Sequence, residues 1–484
     1  MAEYITSIGL EIHAELNTNS KIFCSCQNGF GGDPNQHCCP ICMGFPGTLP
    51  VLNRHVVEYA CKVGHMMGCR VDSVVRMARK NYNYPDLPKG YQISQFAHPL
   101  CKEGKITYFC NGVKKSVRIN RVHIEEDAGK LLHDGNRMSL VDLNRCGVPL
   151  IEIVTEPDLN SAEDAYEFLE TVRLMLLYAG VSDCKMQEGS IRCDVNVSIR
   201  PVGADCLGPR CEMKNVNTFS GAKRAIEYEV ARQVDLLDSG KKIVSETRRW
   251  DDVAGCSSVL RGKEEAEDYR FFPEPDLAEF FLDPSFIECT KEGNMETPQD
   301  KMERYTEGYG LSYVDTMNLI RYPDRAMYFE DCVRENASKA KSVASWILGE
   351  VLRFLNENQL SFSEFVVEPR RLVRLVEITE DESVSVSAAK KVFALMMKNS
   401  GDPYEIALKN GLLQNSDEEE LRRAVSSVLS ECTAAVAEYK SGKTNVFGFL
   451  VGRCMAFTTG KGNPRMINEI LLETLNNPQE NDKK

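Results

Sequence analysis

Residues 191–200, IRCDVNVSIR, alternate without interruption, with Ile191, Cys193, Val195, Val197 and Ile199 set against Arg192, Asp194, Asn196, Ser198 and Arg200. Successive side chains of a β-strand leave on opposite faces, so a period of two predicts a strand with one apolar and one polar face. Two further segments carry this signature. In GLEIHAEL, 9–16, Glu11, His13 and Glu15 share one face and Leu10, Ile12, Ala14 and Leu16 the other. In VPLIEIVTEP, 148–157, Glu152 and Glu156 share a face with Val154 between them. Residues 1 to about 290 mix such alternation with Gly- and Pro-rich turns.

One helix interrupts this region clearly. Ser161 and Asp164 form a capping box, apolar residues follow at Ala165, Phe168, Leu169, Val172, Leu176 and Ala179, and Gly180 stands where a C-terminal cap belongs. A second is expected over 222–237, with Gly240 after it. From Thr297 onward the period becomes 3.6. Thr297, Pro298 and Asp300 open one helix, 338–355 forms another, Ser387 opens a third, and NSGDP at 399–403 reads as a linker. Beyond it, Ser416 with Glu419 and Asn463 with Pro464 start further helices.

At 484 residues, 43% hydrophobic and 27% charged, the chain has the makeup of a globular enzyme of about three domains. Its opening, MAEYITSIGLEIHAEL, shows no basic leader before an apolar block, and no stretch approaches about 18 uninterrupted apolar residues. The expectation is a cytoplasmic protein without a membrane partner, its 19 cysteines serving as thiols or metal ligands. A net charge of −13 argues against a surface that attracts nucleic acid everywhere. Residues 421–484 differ, with nine Lys and Arg against six Asp and Glu. That local surplus marks the tail as a candidate RNA contact, with Lys443, Arg453, Lys461 and Arg465 as candidate phosphate ligands.

Cys24-x-Cys26, twelve residues, then Cys39-x-x-Cys42 is the spacing of a closed tetrahedral zinc site. Four reduced core cysteines are the alternative, and His37 and Cys38 blur which atoms bind. The acidic faces of 9–16 and 148–157, the cluster Glu125, Glu126 and Asp127, and Asp194 imply a second centre. If they turn inward together, so many like charges require a divalent cation. Magnesium suits the oxygens; His13 leaves manganese or zinc open. In RKNYNYPDLPKGYQIS, 79–94, Lys80 and Lys89 interleave with Tyr82, Tyr84 and Tyr91, a loop able to meet phosphates and stack a base. KEEAEDYRFFPEPDL, 263–277, has a similar aromatic and proline character. No Walker-type P-loop, G-x-G-x-x-G or G-x-S-x-G is present; SGKT at 441–444 has Ala437 where the first glycine belongs.

Taken together, GLEIHAELNTNSKIFCSC, CPICMGFPGTLPVLN, RKNYNYPDLPKGYQISQ, EEDAGKLLH, NRCGVPLIEIVTEPD, MQEGSIRCDVNVSIRP, EMKNVNTF, ETRRWDD, KEEAEDYRFFPEPDL and GFLVGRCMAFTTGKGNP resemble the B subunit of the tRNA-dependent glutamyl/aspartyl amidotransferases. The match is dense over the first 280 residues and runs to about residue 475. The resemblance implies an α+β fold: a cradle-shaped domain on an antiparallel β-sheet (1–295), a helical domain (296–402) and a small all-α, tRNA-binding tail (403–484). It implies an ATP-dependent ligase that phosphorylates the side-chain carboxylate of misacylated Glu-tRNA(Gln) and/or Asp-tRNA(Asn) and aminates it with ammonia. The ammonia would come from an amidase-like glutaminase, the A subunit of the same complex, and a small C subunit would accompany it.

On the matching positions, Glu11, His13, Glu126 and Glu152 would hold Mg2+, with Glu125 and Asp194 as ligands or close by. Lys80 and Arg192 would face ATP phosphates or the developing acyl phosphate, with Tyr82 at the nucleotide, and Cys24, Cys26, Cys39 and Cys42 would hold zinc. Two rivals make different predictions. A non-catalytic tRNA-binding scaffold with a structural zinc leaves Glu11, His13 and residues 125–127 without a task, and a free-standing ligase for a small-molecule acid needs no RNA.

Overall fold

Strand β1, Tyr4–Glu15, sets the frame of the molecule: Ile8, Leu10, Ile12 and Ala14 are buried on one side, and Glu11, His13 and Glu15 emerge on the other. It lies inside a nine-stranded sheet. In chain order the other strands are β2 (Arg70–Val71), β3 (Cys101–Cys110), β4 (Val113–Glu126), β5 (Pro149–Thr155), β6 (Ile191–Pro201), β7 (Cys211–Lys214), β8 (Glu246–Asp251) and β9 (Cys256–Gly262). Across the sheet they run β9-β8-β7-β6-β1-β5-β4-β3-β2. Every neighbouring pair is antiparallel except β7 and β8. The computed structural model describes residues 3–133, 138–262, 269–292, 296–415 and 417–476.

The apolar face of the sheet is covered by helices α1 (Arg54–Met66), α2 (Ala162–Tyr178) and α3 (Phe219–Asp238). The sequence signals for α2 hold in detail. Ser161 Oγ accepts the Asp164 N–H at 3.0 Å, Ala165, Phe168, Leu169, Val172 and Leu176 enter the core, and Gly180 takes φ +67°, where a side chain would be strained. Helix α3 begins three residues before the expected start because Thr218 Oγ1 caps it at the Gly221 N–H. Ile8, Leu10 and Ile12 pack against this layer, each contributing about 1.5–3 kcal/mol by leaving water. The segment 79–94 is not all loop. Its ends form the strands Ala78–Asn81 and Tyr91–Ser94, and Phe272–Pro273 joins them, so the two aromatic, proline-bearing motifs meet in one small sheet. Residues 263–268 of the second motif lie outside the described residues.

Contacts divide the chain into two compact units, Met1–Glu303 and Arg304–Lys484. The second is helical. It includes Tyr313–Ile320, Pro323–Glu335, a helix from Ala340 to Asn358 that passes through a π turn at Ile347–Val351, Pro369–Glu380 and Val386–Met396. Val386–Met396 is capped by Ser385, two residues before the expected Ser387, because the Ser385 hydroxyl accepts the Ala388 N–H. Towards the C-terminus, Glu418–Glu431, Val446–Phe457 and Pro464–Asn476 share a cluster of Leu421, Val425, Val428, Leu450, Cys454, Ile467 and Leu471. Ser416 lies outside the described residues; Asp417 accepts the Glu419 and Glu420 N–H groups and caps that helix. No helix among the described residues is long and apolar enough to cross a membrane.

Candidate functional site

The polar face of the sheet gathers its side chains by register. Across β1 and β6, Glu11 stands opposite Asp194 and His13 opposite Arg192; across β1 and β5, His13 stands opposite Glu152; across β5 and β4, Glu152 stands opposite His123. Because alternate residues share a face, Glu125 joins this group from β4. All of these except Arg192 line a cavity of about 740 Å3 together with Lys80, Arg121, Arg210, Glu212, Lys214 and Tyr269. That volume suits a nucleotide-sized ligand.

Two sets of ligand atoms meet there, each within 4.8 Å of one another: His13, Glu125 and Glu152, and Glu11, Asp194 and Glu212. In the first, His13 Nε2 lies 3.4 Å from Glu125 and 3.5 Å from Glu152, and His123 Nε2 lies 3.2 Å from Glu152. Burial alone would push the His13 imidazole down, but the two carboxylates outweigh it and lift it to about 10. His123 is raised by the same opposition of burial against Glu152 and Glu125. Burial would raise Glu125 and Glu152, yet the imidazoles hold both well below the usual carboxylate range. In this arrangement each imidazole lies within 4 Å of both carboxylates. Ser94 Oγ also donates to Glu125 at 3.1 Å.

In the second set, Lys214 Nζ donates to Asp194 at 2.5 Å and lies 2.9 Å from Glu212, and Asn196 Nδ2 donates to Glu11 at 3.0 Å. Glu11 is raised, first by burial and then by the charge of Glu152. An all-oxygen trio with surplus negative charge fits Mg2+ or a similar hard cation; the His13 set offers a mixed nitrogen and oxygen site.

The structure separates two adjacent glutamates expected to act together. Glu126 follows Glu125 and therefore points to the opposite, core side of β4, with Val122 and Ile124. There its Oε1 accepts from Lys89 Nζ at 2.5 Å and from the Ile93 N–H at 2.8 Å. It lies in neither carboxylate set, so the expected ligand group of Glu11, His13, Glu126 and Glu152 is divided three ways. Glu156, just past the end of β5, does not line the cavity; its carboxylate accepts from Asn120 instead. Arg192 sits beside His13 but does not line the cavity. Its Nη2 donates to Asp127 at 3.1 Å, and Asp127 also pairs with Arg145 at 3.3 Å. Glu15, further along the same face, is raised to about 7 by burial and then by Asp127.

Lys80 does line the cavity, its ammonium 4.8 Å from the Tyr269 ring centre and 5.8 Å from that of Tyr82, and no described carboxylate pairs with it. Burial pushes the Tyr82 hydroxyl up, so it stays protonated at neutral pH. Sequence reasoning missed His123, Glu212 and Lys214. Glu212 and Lys214 alternate with buried Cys211 and Met213, but over only four residues.

Cys24, Cys26, Cys39 and Cys42 converge, with Cys42 Sγ 3.4 Å from Cys24, 3.8 Å from Cys39 and 3.8 Å from Cys26. A tetrahedron with metal–sulfur bonds of about 2.3 Å has edges of about 3.8 Å, so the donor set fits zinc. The Cys42 thiol is lowered, chiefly by its hydrogen bond with Cys24, with Lys21 adding to the effect. The clustered donors include neither His37 nor Cys38, whose thiol donates to the Asn35 carbonyl. In the tail, Lys443, Arg453, Lys461 and Arg465 are exposed, and three of them form surface ion pairs, with Glu438, Glu431 and Glu469. Such pairs hold a cation only weakly.

Comparison with known proteins identifies the family. Residues 6–288 match the family described as the GatB/GatE catalytic domain, and residues 327–475 match the GatB domain. Relatives named as B subunits of aspartyl/glutamyl-tRNA(Asn/Gln) amidotransferase include one from Caldicellulosiruptor saccharolyticus, 50% identical over 98% of this chain and 99% of its own length. The one from Ruminiclostridium cellulolyticum is 49% identical over 98% of both. That from Thermodesulfovibrio yellowstonii is 44% identical over 98% of this chain and 99% of its own.

Proposed function

The chain belongs to the family of aspartyl/glutamyl-tRNA amidotransferase B subunits, and from that membership we propose how its cavity performs transamidation of misacylated tRNA. The observation that carries the proposal is the enclosure of two acidic sets and the cations Lys80, Arg121, Arg210 and Lys214 in one cavity. A side-chain carboxylate repels nucleophiles, so it must first be activated. Its oxygen attacks the γ-phosphorus of ATP, the bond from that phosphorus to the β-bridging oxygen breaks, and ADP leaves. Ammonia then attacks the acyl carbon, the carbon–oxygen bond to phosphate breaks, and one nitrogen proton is lost as the amide forms.

Such phosphoryl transfer asks for positioning and charge neutralisation. Glu11, Asp194 and Glu212, or His13, Glu125 and Glu152, would hold Mg2+, which supplies positive charge at the phosphates when bound. Lys80, free of any described carboxylate, is placed to meet phosphate oxygens, and Tyr82 and Tyr269 confine its ammonium. Lys214 bridges Asp194 and Glu212 and holds them adjacent. Arg192, held by Asp127, acts from the edge of the cavity. The cysteine centre would hold zinc in a structural role, because four thiolates leave no open coordination position. The tail would contact the body of the tRNA.

Partners follow from the same membership: a glutaminase (the A subunit) supplying ammonia, a small C subunit, and misacylated tRNA. The three domains would be 1–295, 296–402 and 403–484, and the protein would work in the cytoplasm. ADP release by the assembled complex tests the proposal. It is expected to depend on charged tRNA; a scaffold releases none, and a small-molecule ligase releases ADP without RNA.

A further inference from the structure

Lys21 is wholly buried, with 0% of its surface exposed, and the described residues offer it no carboxylate partner. Its ammonium has three protons and three acceptors: the Cys146 carbonyl at 2.7 Å, the Leu143 carbonyl at 3.4 Å and Cys42 Sγ at 3.7 Å. Carbonyls satisfy hydrogen bonds without neutralising charge, and a buried ammonium without a counter-charge is costly. The four-cysteine centre is the opposite case: a dication with four thiolates carries a surplus of two negative charges. Cys42, the sulfur that Lys21 approaches, lies against each of the other three.

We propose that Lys21 is the built-in counter-cation of a metal–tetrathiolate centre at Cys24, Cys26, Cys39 and Cys42, lowering its surplus charge and slowing loss of the ion. The proposal rests on the zinc assignment made above. The same ammonium fastens the occupied centre to the segment 143–146. Two further contacts reinforce that link: the Cys146 thiol donates to the Cys42 carbonyl at 3.4 Å, and the Ile22 N–H donates to the Gly147 carbonyl at 3.0 Å. This segment carries Arg145, the partner of Asp127, which in turn holds Arg192. Lys21 is thus a positioning residue, acting on the catalytic face through the metal centre.

The test uses the full chain in its complex, as wild type, Lys21→Met and Lys21→Gln; the glutamine keeps a donor but removes the charge. Zinc content is measured by elemental analysis, and zinc release by transfer to a coloured chelator. Outer-shell partners of metal ligands are worth about 10- to 100-fold in metal affinity, and both variants are expected to release zinc faster by that order. In metal-stripped protein, Lys21→Met is expected to leave the melting temperature unchanged or raised, because the ammonium has lost its counter-charge. Release at the wild-type rate, or an equal loss of melting temperature with and without zinc, overturns the proposal in favour of a packing role. If Lys21→Met is insoluble, the substitution is repeated with all four cysteines changed to serine; a stability loss persisting there overturns the proposal, and its disappearance supports it. A wild-type complex that neither contains nor takes up zinc removes the zinc assignment itself, a result distinct from unchanged release.

Discussion

Glu125 and Glu126 are neighbours in sequence, equally buried at 3% exposure, and on opposite faces of one strand, so replacing each by glutamine separates chemistry from stability. Glu126 is held by the Lys89 ammonium at 2.5 Å and the Ile93 N–H at 2.8 Å. Glutamine keeps an acceptor but leaves the Lys89 charge unpaired in a site where its side chain is 11% exposed. Removing one partner of a buried pair costs about 3–5 kcal/mol, and the retained acceptor places Glu126→Gln near about 3 kcal/mol, a large share of a typical stability of about 5–15 kcal/mol. Glu125→Gln differs because its partners are imidazoles. His13 and His123 can release protons as neutral groups, given an ordinary value near 6.5, so the fold loses only about 1 kcal/mol. The carboxylate set in the cavity is nevertheless broken, and transamidation is expected to fall by about 100-fold or more. The assays are urea unfolding of each variant, and amide formation by the complex with ammonium chloride as donor, which bypasses glutamine hydrolysis. Equal stability losses, or a Glu125→Gln complex with full amide formation, would refute the assignment of faces and roles.

Lys80→Ala is expected to lower amide formation by about 100-fold or more while glutamine hydrolysis by the partner continues, since Lys80 is a lining cation that no described carboxylate neutralises. Glu15→Gln tests the raised carboxyl. Its folded value of about 7 lies above the ordinary value of 4.5, so the native state binds more protons between those limits, and wild-type stability falls as pH rises from about 4.5 to 7. Discounted for partial exposure, the loss is about 1–3 kcal/mol, and the variant should match wild type at pH 4.5 and exceed it at pH 8 in urea unfolding. Changing Lys443, Arg453, Lys461 and Arg465 together to alanine should weaken tRNA binding. It should also flatten the dependence of log affinity on log salt by about 0.7–0.9 for each phosphate interaction removed, as followed by filter binding across salt concentrations.

Much of the fold was legible because period two and period 3.6 report faces directly. Residues 191–200 form the expected strand with all five apolar residues buried, and Ser161, Asp164 and Gly180 bound helix α2 as their chemistry demands. The cysteine spacing located a real convergence, but leaving His37 and Cys38 out of it depended on side-chain placement that spacing does not carry. Adjacent residues on a strand cannot share a face, so the sequence permitted only one of Glu125 and Glu126 in the cavity. Choosing between them required the β4–β5 register that sets His123 opposite Glu152. Glu212 and Lys214 escaped because strand β7 is too short for alternation to rise above chance, and Glu156 stays out of the cavity because β5 ends at Thr155, which periodicity does not mark. No local pattern marks Lys21; its burial follows from the folding of the cysteine segment onto residues 143–146.

Isotope transfer tests the central claim most directly: activation of the tRNA-bound carboxylate by phosphorylation in this cavity. Misacylated tRNA carrying 18O in the side-chain carboxylate is converted by the wild-type complex with ATP and ammonium chloride, and the inorganic phosphate is examined by mass spectrometry. Each amide formed is predicted to deliver one labelled oxygen to phosphate, with neither product appearing for Glu125→Gln. Amide formation with unlabelled phosphate would contradict the account.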